Sequence, residues 1–173
     1  MKKVFLLSLF SLFILAANAQ TVTVQGVYGN YASSSSALQV GGQDFGKSIH
    51  AFGFDATGYI IKGWGVNVGY TYGSSDLDSP IGSTIDSKMK VNQYNIGLAK
   101  KFKLPFMSIA PVVGANFYNA KLEGPVLGME DGEMDENRVG LDLGVQGRVL
   151  FMSFGLKYDF TANFFKAGIG FAI

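Results

Sequence analysis

The chain has 173 residues, no Cys, one His, and 14 basic against 13 acidic side chains, a formal net charge of +1. That balance excludes the basic stripe a nucleic-acid partner would favour, and the lack of thiols excludes disulfides and a lipid-bearing N-terminal Cys. Glycine is abundant, at 23 residues, yet with 4 Pro and no G-X-Y period neither collagen nor low complexity applies.

Residues 1–19 read as a secretory signal: Lys2 and Lys3 form the positive region, Val4 to Leu15 the apolar stretch, and Ala17-Asn18-Ala19 the cleavage site. The apolar stretch is shorter than the roughly 20 residues of a spanning helix. The expectation is one mature domain, residues 20–173, with 12 basic and 13 acidic residues once Lys2 and Lys3 are gone.

From there on the chain alternates. Trp64, Val66, Val68, Tyr70 and Tyr72 interleave with Gly65, Asn67, Gly69, Thr71 and Gly73, and Val139, Leu141, Leu143 and Val145 with Gly140, Asp142, Gly144 and Gln146. A period of two belongs to β-strands. Eight are predicted, at roughly 21–32, 48–61, 64–73, 88–100, 106–120, 137–149, 152–161 and 164–173. Most approach the 9 to 11 residues a tilted strand needs to cross the hydrocarbon layer. The polar face carries Gly, Asn, Thr and Gln with few charges, unlike a solvated sheet face, so it is expected to line a narrow bore while the aromatic face meets lipid. A soluble ligand-carrying barrel is the rival. It would have to hold Trp64, Tyr70, Tyr72, Phe117, Phe154, Tyr158, Phe160, Phe165 and Phe171 inside, where eight strands leave barely enough room for ordinary side chains.

The connections alternate too. Long ones rich in Ser, Gly and acids cover Ser33 to Lys47, Ser74 to Ser87 and Lys121 to Glu136, and short ones hold Lys62-Gly63, Lys101 to Pro105 and a reversal near Val149 to Phe151. Long loops at one end and short periplasmic turns at the other is the pattern of outer-membrane barrels. In signal, alternation and loop asymmetry the whole mature chain resembles the small eight-stranded outer-membrane proteins of Gram-negative bacteria, the group of outer membrane protein X and the barrel domain of outer membrane protein A. The resemblance implies an all-β, eight-stranded antiparallel up-and-down transmembrane β-barrel in the outer membrane. It also implies a final strand read by the barrel-assembly machinery, with Ile173 where that group usually has Phe.

The inward parity then includes Asp55, Thr57, Asn67, Thr71, Gln93, Asn95, Asn116, Asp142, Gln146, Arg148, Lys157, Asp159 and Lys166. Asp55, Asp142, Arg148, Lys157, Asp159 and Lys166 are the expected polar and ion-pair network of the lumen. A two-residue turn at Ala162-Asn163 and a reversal centred between Val149 and Leu150 predict a ladder pairing Asp142 with Lys157 and Asp159 with Lys166, since the register two residues away sets Asp142 against Asp159. The ladder's structural role is to satisfy buried charges and fix register; its sharper role is a gate for a small water path.

Tyr59, Trp64, Phe102 and Phe106 near the short turns, and Tyr28, Tyr31, Tyr72 and Tyr118 with Tyr70 toward the long loops, are expected to form two interfacial girdles. Ser48 and His50 share a face and raise the thought of a lipid-hydrolysing dyad. His50 nevertheless falls on the lipid-facing parity with Phe52 and Phe54, and no acid is placed to orient it, so no catalytic residue is assigned. One His and no Cys offer no metal site, and no cofactor is expected. The acidic run Glu130 to Glu136 lacks calcium-loop spacing and reads as a solvated surface loop, able to share divalent ions with lipopolysaccharide phosphates. Lys100, Lys101 and Lys103 sit around a short periplasmic turn, where contact with inner-leaflet phosphates and ordinary solvation explain them equally well.

The expected protein is a monomeric, non-enzymatic scaffold whose partners are outer-membrane lipids, lipopolysaccharide and the assembly machinery. Its long loops serve adhesion, surface protection or envelope integrity. A narrow channel for ions or small solutes and a lipid-modifying hydrolase are the alternatives.

Overall fold

The structure, a computed structural model, describes residues 21–31, 39–40, 43–44, 48–77, 87–126 and 129–173. The expected signal and most of the first two long loops lie outside the described residues. Eight long strands form the wall: β1 (Thr21–Tyr31), β2 (Ile49–Ile61), β3 (Trp64–Leu77), β4 (Ser87–Lys100), β5 (Met107–Val126), β6 (Met129–Val149), β7 (Met152–Asp159) and β8 (Phe164–Ala172). Each pairs antiparallel with its chain neighbours, and β1 pairs with β8, Val27 opposite Gly168, so the sheet closes on itself. Closure leaves no unpaired edge, the condition for a sheet to stand in hydrocarbon.

Side-chain parity fixes which face is outside. Phe52, Leu141 and Phe171 are each more than 60 % exposed, while Thr57, Asn67 and Asn116 are 0 % exposed. The apolar set forms a continuous outer belt far beyond the few hundred Å² that a soluble monomer exposes. The soluble ligand carrier is thereby overturned: Trp64, Phe117, Phe154, Phe160, Phe165 and Phe171 all face outward. On β5 the outward apolar row runs from Met107 to Phe117 and then turns polar at Asn119. Ten steps of about 3.3 Å at a tilt near 40° give a height of roughly 25 Å, the thickness of a lipid-facing band.

Two expectations about length are corrected. The acidic run is not a loop: the β5–β6 ladder continues from Phe117 opposite Val139, through Lys121 opposite Asp135, to Val126 opposite Met129. Residues 130–136 are therefore strand, because a register already set inside the barrel is extended more readily than it is abandoned. Pro125 sits beyond the last β4 partner, Glu123 opposite Lys88, at an edge where its missing N–H costs no ladder bond. The other change is at β7, which ends at Asp159 and leaves a four-residue turn, Phe160 to Asn163.

The tight turns show their chemistry in their backbone. Lys62 and Gly63 have φ of 47° and 82°, the paired left-handed residues of a type I′ hairpin. The reversal after β6 uses Leu150 and Phe151, with Leu150 held at φ 55°. No Gly or Asn stands there to take that conformation, so a branched residue carries the strain.

Candidate functional site

The lumen is where the polar parity converges, and it is filled rather than open. At the long-loop end Tyr31, Ile49, Ala51, Met89, Val91, Tyr118, Ala120, Ala162 and Phe164 form one buried cluster. Tyr31 and Phe164 stack with ring centroids 3.7 Å apart, and Tyr118 meets Tyr31 edge-on at 6.2 Å. The same end is tied by hydrogen bonds from Tyr31 Oη to Gln93 Oε1 at 3.4 Å and from Gln93 Nε2 to Tyr118 Oη at 3.2 Å. At the short-turn end Tyr59, Ala99, Ala110 and Val112 form a second cluster. A cavity of about 10 Å³ below it, beside Lys101 and Arg148, is the size of one water.

Between the clusters lies the charged layer. Lys157 Nζ is 2.8 Å from Asp55 Oδ2 and donates to Asn67 Oδ1 at 2.6 Å. Asn95 Nδ2 donates to the same Asn67 oxygen at 2.8 Å, and Asn67 Nδ2 donates to Thr57 Oγ1 at 2.9 Å. Thr57 and Tyr59 hydroxyls then reach Gln146 Oε1 at 3.0 and 3.2 Å. Glycines make the room: a Cβ on Gly69 would stand 1.9 Å from Asp55 Oδ1 and 2.2 Å from Asn95 Oδ1, and one on Gly144 would stand 2.5 Å from Lys157 Cγ.

The predicted ladder is overturned. Asp142 stands opposite Asp159, and Lys157 opposite Lys166. The register differs by two residues at both hairpins because the reversal takes Leu150 and Phe151 and the last turn takes four residues. Asp159 is the physical cause of the second shift. Its Oδ1 accepts the backbone N–H groups of Thr161 and Ala162 at 2.8 and 2.7 Å, and its Oδ2 accepts from Asn116 Nδ2 and Tyr118 Oη. A carboxylate so fully engaged caps its own turn. Lys157, facing another cation along the sheet, takes its counter-charge from β2 instead. Lys166 Nζ and both Asp142 oxygens are buried with no direct hydrogen bond.

Of the remaining predicted network, Asp55 lies in the layer just described. Arg148 instead sits at the short-turn mouth, its Nε donating to the Leu150 carbonyl at 2.6 Å. The girdle needs correction. Trp64, Tyr72, Phe102 and Phe106 face outward, as does the less exposed Tyr70, but Tyr59 and Tyr118 are lumen residues at 4 % and 3 % exposure, and Tyr31 joins them. All three share the parity of Thr57, Asn116 or Gln25, which places them inside whatever their height. His50 lies on the outer face, sharing a 2.5 Å hydrogen bond through Nδ1 with Tyr28 Oη. Sequence reasoning missed Thr23, Gln25 and Ser153 in the bore and the apolar plug of Ile49, Met89, Val91 and Phe164. All but Thr23 and Gln25, which lie on a strand with no residue assigned inward, stand at an even spacing from one that was, and that spacing is the signal for them.

A closed eight-strand wall, a lipid-facing belt and a plugged polar bore define a small barrel of the outer-membrane type. No family model and no curated protein matches the chain. Solved structures do. Ail, the attachment invasion locus protein of Yersinia pestis, in complex with the heparin analogue sucrose octasulfate, is similar over 88 % of this chain and 97 % of its own, with a TM-score of 0.61 at 12 % identity. The outer membrane protein OprG of Pseudomonas aeruginosa is similar over 90 % and 95 %, with a TM-score of 0.56 at 12 % identity. Neisserial surface protein A is similar over 88 % and 93 %, with a TM-score of 0.51 at 13 % identity. Sequences this far apart share the fold, set by parity and closure.

Proposed function

We propose that this protein is a non-enzymatic outer-membrane scaffold that displays its long-loop end for adhesive contact outside the cell. One observation carries the reading: the apolar belt stops at Phe117 and Val139, while the β5–β6 ladder runs on to Val126 and Met129. Eight or more further residues at about 3.3 Å each lift that hairpin some 20 Å clear of the bilayer, a ladder-paired arm rather than an unpaired loop. The structural neighbour Ail is by name an attachment protein, which supports the adhesive role over surface protection or envelope integrity. The plugged bore speaks for anchoring rather than transport, and a closed wall needs no second copy. Lipids and lipopolysaccharide surround the belt in this reading, and the assembly machinery inserts it.

The test is a peptide tag inserted at residues 127–128 and probed with antibody on intact cells, together with attachment assays of a deletion strain and of a strain whose hairpin is cut back to Phe117 and Val139. Surface labelling with attachment lost in both strains is expected. Attachment unchanged in both overturns the adhesive role, and a tag reached only after cell lysis overturns the orientation.

A further inference from the structure

The charges of this chain are sorted by height. No Asp or Glu occurs in residues 56–75, 95–122 or 143–158, the stretches that build the short-turn end, yet that end carries Lys62, Lys100, Lys101, Lys103 and Arg148. The acids outside the bore all belong to the long-loop half of the strands and to the loops themselves. A set of turns standing free in water would alternate signs or be neutral. Here the charged side chains are of one sign, with no Asp or Glu among them.

The turns are also greasy. Phe106 is 89 % exposed and Leu150 is 76 % exposed, and Ile61, Phe102 and Phe151 each exceed half. These residues lie at the turns themselves and extend the lipid-facing belt without a break past the ends of the strands. Cations and bulky apolar groups interleaved on one rim, with no acid, are the composition of a segment held at a bilayer interface, apolar groups among acyl chains and ammonium groups at phosphates.

The cations are held in place for that use. Lys100 Nζ lies 4.7 Å over the Trp64 ring and donates to the Lys62 carbonyl at 2.9 Å, and Lys101 Nζ lies 4.5 Å over the Tyr59 ring and donates to Thr21 Oγ1 at 3.0 Å. Burial first, then Lys103 and Arg148, hold the Lys101 ammonium below the usual lysine range. Lys101, Arg148, Thr21 and Ser108 line the small cavity at this mouth.

We infer that the short-turn rim is a binding surface for anionic phospholipid, with Lys100 and Lys103 taking lipid phosphate, Lys101 and Arg148 adding positive charge from the bore mouth beside them, while Phe102, Phe106 and Leu150 enter the acyl region. The occupant is a lipid and not a soluble anion because the exposed apolar groups alternate with the cations along the same turns. The inference rests on the membrane reading above but not on which compartment the rim faces.

Trp64, the single tryptophan, reports on this rim. The full chain, folded into phosphatidylcholine vesicles containing phosphatidylglycerol, is compared with the bromine quencher on the acyl chains of one lipid or of the other. Quenching per brominated lipid is expected to favour phosphatidylglycerol at least about twofold and to shrink in about 0.5 M salt, where the Debye length is only a few Å. The preference is expected to vanish in the triple variant Lys100→Gln, Lys101→Gln, Lys103→Gln and to persist in the matching Arg triple, with heat-modifiable gel mobility reporting that each barrel is folded. Equal quenching by both lipids in the wild-type protein overturns the lipid selectivity and leaves the membrane reading intact. No quenching by either lipid overturns both.

Discussion

Lys157 Nζ and Asp55 Oδ2 meet at 2.8 Å with both side chains 3 % exposed, on strands β7 and β2 that have β1 and β8 between them around the wall. The pair spans the bore. It holds the middle of the barrel by side chains where adjacent strands hold it by backbone, and Lys157 also donates to Asn67, which in turn accepts from Asn95.

Removing one member leaves the other buried without its direct ion-pair partner, a loss of about 3–5 kcal/mol. Lys157→Ala and Asp55→Ala are each expected to lower stability by that amount in urea unfolding from phospholipid vesicles, and the double variant is expected to lose less than the two together. A double-mutant cycle that sums without coupling shows the two side chains to be independent.

The two apolar clusters close the bore above and below this pair, which speaks against a gate. Planar bilayers holding the wild-type protein are expected to pass no sustained current, and so are bilayers holding Lys157→Ala, since Tyr31 stacked on Phe164 and the Tyr59 cluster remain in place. Steady single-channel steps from either protein would show an open path through the wall that the packing does not contain.

Glycines in the bore and on the belt differ in what they face. A methyl at Gly69 runs into Asp55 Oδ1 and Asn95 Oδ1, whereas one at Gly147 meets nothing within 4 Å. Gly69→Ala is expected to cost about 1–3 kcal/mol by overpacking, and Gly147→Ala to be neutral within about 0.5 kcal/mol. The same unfolding titration reads both, and equal effects would contradict the packing.

Leu150 occupies a left-handed conformation, at φ 55°, that costs a branched residue about 1–2 kcal/mol. Leu150→Gly is expected to raise stability by about 1 kcal/mol, provided the comparison is made in detergent, where the side chain's contact with a lipid interface is not also removed. An unchanged or lowered midpoint in detergent counts against strain at this turn.

The parity of this chain was legible without coordinates because it is local. Successive side chains of a strand point to opposite faces whatever the partners do, so Asp55, Asn67, Gln93, Asn116 and Asp142 fall on one face and Phe52, Trp64, Leu141 and Phe171 on the other. Strand number and the outer-membrane type of barrel follow from the same pattern read along the chain. Tyr59 and Tyr118 stand near the ends of the predicted strands, the height of an interfacial girdle, but their spacing from Thr57 and Asn116 turns them inward.

Register and pairing were not local, and only the tertiary structure decided them. Whether the last turn holds two residues or four depends on Asp159 capping Thr161 and Ala162 while also accepting from Asn116 and Tyr118 on β5, a strand remote in sequence. The counter-ion of Lys157 depends on which side chain the closed wall brings across the bore, and that proved to be Asp55 rather than Asp142 on the adjacent strand. The sequence by itself determined which side of the sheet faces lipid, through a two-residue period fixed by backbone geometry. Closure decided which charges meet inside, because partners across a bore are chosen by curvature, loop length and free space left by glycines such as Gly69 and Gly144, none of which a single strand encodes.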